Sequence, residues 1–209
     1  MSAKSKKRRK VKHRKSIRNH INKIFEGIKG NGLDDKEYDP KFATTYGELT
    51  LEGIEGLVKE YKKVKKIETY PTERQVFYDL GSGTGKIVMM VAALLPSLKA
   101  YGIELVKHRH EKALTALEQT NSKNNITFLH GSFLDYDIRD AGWIFISNLC
   151  FSNDINKEIA EKIEKEVQKD TLIACSRHLP LDPNHFEDIK FVLAMTWEKK
   201  SSAHLYRKL

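Results

Sequence analysis

The chain has 209 residues, 40% of them hydrophobic and 9% aromatic, enough for one α/β domain with a full core and short for two. Its formal net charge is +9, yet Lys4, Lys6, Lys7, Arg8, Arg9, Lys10, Lys12, Arg14, Lys15 and Arg18 all fall within residues 1–18, which hold no acid, so the remainder is close to neutral. No apolar run is long enough to span a membrane and no signal-peptide core is present, so no membrane association is expected.

The basic run self-repels and buries little, so residues 1–18 are expected to be disordered on their own. Two uses stay open: a solvated terminus, or an arm for nucleic acid or nuclear import. In the second, Lys6, Lys7, Arg8, Arg9, Lys10, Lys12, Arg14 and Lys15 neutralise phosphates with salt-sensitive affinity. The excess of Lys and the lack of an apolar face speak against a mitochondrial presequence. Cys150 and Cys175 form no CxxC or zinc spacing and read as reduced, buried residues of an intracellular protein. His108 and His110 flank Arg109 in a charged stretch that reads as solvated surface, and no metal site is expected.

In chain order, Ile17, Ile21, Ile24, Phe25 and Ile28 predict a helix over 17–28, broken by Gly30 and Gly32. A polar loop follows over 33–47, closing at Tyr46-Gly47. Leu51, Ile54, Leu57, Val58 and Tyr61 mark an amphipathic helix over 49–64. Strands are predicted at 75–80, 100–105, 126–129, 143–146 and 171–175. Helices are predicted at 86–95, at 110–120, and from Asn153 or Asp154 as cap through 167. Residues 190–197 and 203–207 read as a closing hairpin. Alternating strands and helices imply a doubly wound, mostly parallel, seven-stranded sheet with a C-terminal antiparallel hairpin. The organisation is a basic tail (1–18), a helical and loop extension that covers the site (19–73), and one α/β domain (74–209).

Asp79-Leu-Gly-Ser-Gly-Thr-Gly85 links the first strand to the next helix, which places backbone amides beside a ligand. A phosphate-binding loop needs GxxxxGK followed by Ser or Thr; here Lys86 precedes Ile87, and no glycine stands five positions before Gly85. A dinucleotide fingerprint needs GxGxxG, whereas Gly81, Gly83 and Gly85 give GxGxG after an acid. That form suits S-adenosyl-L-methionine, which has no phosphate but carries an amino group, a carboxylate and a sulfonium. Asp79 suits the amino group, and Glu104, at the end of the second strand, suits the ribose diol. The sheet is thus expected to be of the class I S-adenosylmethionine methyltransferase type.

The fourth strand runs into Ser147-Asn148-Leu-Cys-Phe151, which keeps the outer letters of the [DN]PP[YF] motif of amino-methyltransferases but lacks both prolines. The segment is closer to another family. Phe42 through Tyr46-Gly47-Glu48, the loop from Asp79 to Gly85, Tyr101-Gly-Ile-Glu104, Gly131-Ser-Phe133-Leu134, Ile144 through Phe151, and Thr196-Trp197 with Tyr206 together resemble the disruptor of telomeric silencing (DOT) family. These are histone lysine methyltransferases that lack a SET domain. The resemblance covers roughly residues 40–209. It implies that Tyr46, Asp79, Gly81, Gly83, Glu104 and Phe133 hold the cofactor, flanked by Glu48, Ser82, Gly85, Lys86 and Ser132, with Phe133 stacked on adenine. It implies Asn148 and Tyr46 at the methyl-transfer point, and Phe42, Trp197 and His204 along a lysine channel. Ser132 departs from the family's Asp, Lys86 from its usual Gln, and His204 from its channel Tyr.

The resemblance predicts transfer to a histone lysine, in the histone H3 core, by a monomeric, chromatin-associated nuclear enzyme whose tail holds DNA. Three other readings stay open: a nucleic-acid amino-methyltransferase, a lysine methyltransferase for a non-histone protein, and a non-catalytic reader with the same fold.

Overall fold

The computed structural model describes residues 3–28, 30, 49–66, 75–120, 123–196, 198 and 200–209, with the side chains of 3–11 set aside. Helix α1 spans Ala3–Phe25 and α2 Leu51–Val64. The core then alternates: β1 Val76–Leu80, α3 Lys86–Leu94, β2 Lys99–Glu104, α4 Lys107–Glu118, β3 Ile126–His130, β4 Trp143–Ile146, α5 Asn153–Glu166 and β5 Leu172–Cys175. Strands β6 (Phe186–Leu193) and β7 (Ser201–Lys208) close it. The seven strands order as β3-β2-β1-β4-β5-β7-β6, parallel except for β7, which inserts antiparallel between β5 and β6.

β1, β4 and β5 are buried along their whole length because helices or loops cover both faces, which is why they read as continuous apolar runs. On one face Phe77, Trp143 and Ala174 pack under α1, α2, α3 and α4. On the other, Tyr78, Ile144, Ile173 and Tyr206 pack under α5 and the loop near Ile138.

Three details differ from the sequence reading. Helix α1 begins at Ala3, so the run expected to be disordered alone is helical from that point. Lys and Arg are good helix formers, and the docked turn carrying Ile21, Ile24 and Phe25 supplies the nucleus that the charged turns extend. Arg18 ties this helix to α2, pairing with Glu52 and, at 2.6 Å, with Glu55. Helix α5 is capped by Ser152, whose Oγ accepts from Ile155 N, not by Asn153 or Asp154. Cys150 is exposed in the turn after Asn148, whereas Cys175 is buried; both are free. No described helix is long and apolar enough to cross a membrane.

Helix α2 meets the end of β6 at close quarters. Thr50 donates to the Ala194 carbonyl from both N (3.1 Å) and Oγ1 (3.0 Å), while Oγ1 accepts from Gly53 N. A Cβ on Gly53 would be driven into that same carbonyl oxygen. Gly to Ala inside a free helix stabilises by about 1 kcal/mol, but here the overlap is with backbone that cannot rotate away. Gly53→Ala should therefore lower stability by roughly 1–3 kcal/mol, read as an earlier urea midpoint.

Candidate active site

The site forms where β1, β2 and β4 end side by side. Gly81 and Ser82 both donate their N–H to Ile103 O, at 2.9 and 3.0 Å, which folds the glycine loop over the tip of β2. Gly81 sits at φ +89, a conformation open to Gly at little strain. Gly85 opens α3 at φ +85, and a Cβ there would overlap the Phe128 ring and lie 3.1 Å from Ala113 Cβ. Gly85, expected among the cofactor contacts, also allows close packing of the loop against the sheet.

Two carboxylates meet under this loop. Glu104 Oε2 accepts from Gly83 N at 2.7 Å and Oε1 from Val106 N at 2.9 Å. Asp79 is 1% exposed, and neither of its oxygens has a hydrogen-bond partner among the described residues. Burial first, then the neighbouring Glu104 charge, pushes the Asp79 carboxyl well above the usual carboxylate range. Ser82 Oγ is likewise buried without a partner. A buried, unpartnered carboxylate at the open end of a strand is a site awaiting a cation or a donor. The amino group of S-adenosyl-L-methionine fits Asp79, and the second lone pairs of Glu104 fit a ribose diol.

Phe133, in the short turn Phe133–Asp135 after β3, forms the far wall with Phe151; their ring centroids are 6.0 Å apart and 25° from parallel. Phe151 also lies over the glycine loop, its Cζ 3.8 Å from where a Gly81 Cβ would stand. Ser132 caps that turn, accepting from Leu134 N. Lys86, expected at the cofactor, has its Nζ 5.5 Å from the Phe25 ring centre of α1.

Asn148 is fully buried, and its amide is wholly engaged. Nδ2 donates to Asn156 Oδ1 (2.6 Å) and Arg177 O (3.0 Å), and Oδ1 accepts from Arg177 N (2.9 Å). Asn156 in turn donates to Phe151 O and Ser152 O. The amide of this residue, expected at the methyl-transfer point, thus brackets the ends of β4 and β5 to the start of α5. Neither Asn156 nor Arg177 was anticipated; the available signal was a polar residue on the apolar face of α5, between Ile155 and Ile159.

His204 stands on β7 opposite Cys175 at the end of β5. His108 and His110 are only half exposed, and burial, then His130, push the His110 imidazole downward. Phe42, Tyr46, Glu48 and Trp197 lie outside the described residues. Among the described residues no group of three or more His, Cys, Asp or Glu could hold a metal.

This sheet order defines the class I methyltransferase fold. The solved structures similar to this chain include an RNA methyltransferase from Salinibacter ruber in complex with S-adenosyl-L-homocysteine, 19% identical, TM-score 0.53, covering 73% of this chain and 90% of that one. They also include the putative methyltransferase yhhF from Escherichia coli, 16% identical, TM-score 0.57, covering 81% and 90%. A protein-lysine N-methyltransferase from Saccharolobus islandicus (strain REY15A) is 25% identical over 119 residues, 57% of this chain and 70% of that protein. The family "Histone methylation protein DOT1" matches residues 28–195, and the chain belongs to it.

Proposed function

We propose that the protein is an S-adenosyl-L-methionine-dependent protein-lysine N-methyltransferase acting on a histone lysine in the H3 core of nucleosomes. The observation that carries the cofactor is the buried Asp79 carboxylate beside Glu104, without a hydrogen-bond partner among the described residues. Family membership and the lysine methyltransferase relative support the acceptor. When bound, the cofactor supplies an electrophilic methyl on sulfur. Asp79 holds its amino group, Glu104 its ribose diol and Phe133 its adenine, while the Asn148 bracket keeps the β4 and β5 ends in register. Phe42, Tyr46, Glu48 and Trp197 are proposed to complete the cover and the lysine channel.

The acceptor lysine must arrive neutral. Its reference pKa near 10.4 makes deprotonation at pH 7 cost roughly 4–5 kcal/mol, and an apolar channel lowers that cost by disfavouring the ammonium. Alignment and exclusion of water are then the main contributions of the chain.

The basic stretch of α1 is proposed to lie on nucleosomal DNA, at chromatin in a reducing compartment, where exposed Cys150 persists as a thiol. Because Ile17 and Arg18 pack against the body, the arm is best trimmed at residues 1–15. That variant should keep its cofactor affinity, lose at least about tenfold in nucleosome methylation, and show a shallower salt dependence. Unchanged nucleosome activity would remove the DNA-arm role. The runner-up, a nucleic-acid amino-methyltransferase, draws support from the Asn148 to Phe151 motif and from a basic arm that suits either substrate.

A further inference from the structure

Beyond the cofactor end, the loop after β5 carries a second cluster. Arg177, whose backbone holds the Asn148 amide, is followed by His178. The His178 ring meets His204 edge-on at 5.3 Å, and His204 stacks on Tyr206 at 5.8 Å and 7°. His204 Nδ1 lies 3.1 Å from both oxygens of Asp188 on β6. Donation from Nδ1–H to that carboxylate fixes the tautomer and leaves Nε2 as an acceptor. The His204 side chain keeps 17% of its accessibility, so it is not sealed in the core.

The other groups around His204 do not compete for this role. Burial pushes both the Cys175 thiol and the Tyr206 hydroxyl upward, so each stays neutral, and Tyr206 is further engaged with the Leu179 backbone. The Arg177 guanidinium is turned to Phe151 O and Asn153 Oδ1. Lys190, opposite His204 on β6, is exposed. Asp188 is the anion that pairs with the ring. At the methyl-transfer end the Asn148 amide has no capacity to take a proton.

We propose that His204, oriented by Asp188, accepts the proton of the incoming lysine ammonium, and that exposed His178 passes it to solvent. The assignment rests on the lysine reading above. His204 Nε2 takes one proton, and the amine keeps the freed electron pair. That pair forms the N–C bond as the C–S bond breaks, its electrons leaving with sulfur to give S-adenosylhomocysteine. The imidazolium is held by Asp188 until its proton leaves by way of His178, so each turnover releases one proton to water.

The test uses the full chain, recombinant nucleosomes and labelled S-adenosyl-L-methionine from about pH 6.5 to 9.5, with S-adenosylhomocysteine affinity and Tm measured alongside. His204→Gln should lower kcat roughly 100-fold near neutral pH. The deficit should shrink at high pH, where the substrate lysine sheds its proton unaided. Added imidazole should restore His204→Ala, with S-adenosylhomocysteine affinity unchanged. Should the His204 variants fail to fold, Asp188→Asn carries the same test, with a pH-dependent loss expected. Lysine methylation that these variants leave within about twofold of the parent, or a loss independent of pH and not restored by imidazole, would overturn the assignment alone. Label on nucleic acid from the unaltered chain would overturn it together with the lysine reading.

Discussion

Asp79→Asn should make the cofactor-free protein more stable while removing most of its cofactor affinity. In the free protein Asp79 is a buried carboxyl without a hydrogen-bond partner among the described residues, lying beside a second carboxylate, Glu104. Its folded-state pKa lies above its ordinary value of 3.8. The folded chain therefore binds this proton more tightly than the unfolded chain does. The associated stability is complete below pH 3.8 and is lost as pH rises through the raised value. At neutral pH the native protein carries this penalty and the Asn variant does not, so the variant should gain roughly 1–4 kcal/mol without cofactor. The gap in Tm between the two should widen as pH rises from about 4, the unfolded carboxyl value. With cofactor the order reverses. Losing a buried charge partner for the amino group costs roughly 2–5 kcal/mol, or about 30-fold to several-thousand-fold in Kd. A variant that binds S-adenosylhomocysteine as well as the parent would show that Asp79 is not the amino-group ligand.

Asn148→Ala should be among the most destabilising single changes outside the apolar core. It strands Asn156 Oδ1 in a buried setting, at about 1–3 kcal/mol before relaxation, and leaves Arg177 N and Arg177 O, both part-buried, without the amide. Allowing for non-additivity, about 3 kcal/mol is expected, a fall of about 6–12 °C in Tm for a chain of this size. Asn148→Asp should be worse at neutral pH, because a carboxylate oxygen would face Asn156 Oδ1 and Arg177 O where Nδ2 now donates. A side chain that acted only on the reacting methyl would lower turnover and leave Tm in place. Calorimetric melting of the two variants separates these roles, and an unchanged Tm would sink the bracket.

The parts legible in the sequence were those whose causes are local. The strand into the glycine loop, the helix after it and Glu104 at the tip of β2 depend on apolar period and turn chemistry within some 30 residues, and the structure brings them together. The closing hairpin was legible too, although β6 begins at Phe186, before the apolar run at Lys190. Its insertion beside β5 depends on pairing across the sheet.

What escaped depends on tertiary partners. Charge alone marks residues 1–18 as unstructured, whereas docking of Ile21 and Ile24 and the Arg18 link to Glu55 extend the helix back to Ala3. Asn148 stands out as a strand-end residue, but its bracket needs Asn156 eight positions on and Arg177 twenty-nine on. Lys86 reads correctly as the first residue of the helix after the glycine loop, but the placing of its Nζ 5.5 Å from the Phe25 ring centre depends on how α1 docks. The pairing of His204 with Asp188 follows from the β6–β7 register, in which Asp188 faces Tyr206, and no local pattern encodes it.

The central claim is that the methyl group goes to a protein lysine. It is tested most directly by incubating the full chain with nucleosomes and labelled S-adenosyl-L-methionine, then separating protein from nucleic acid and mapping the modified residue. The account predicts label on a histone lysine side chain, in the H3 core. Label on the DNA or RNA, with none on protein, would contradict it.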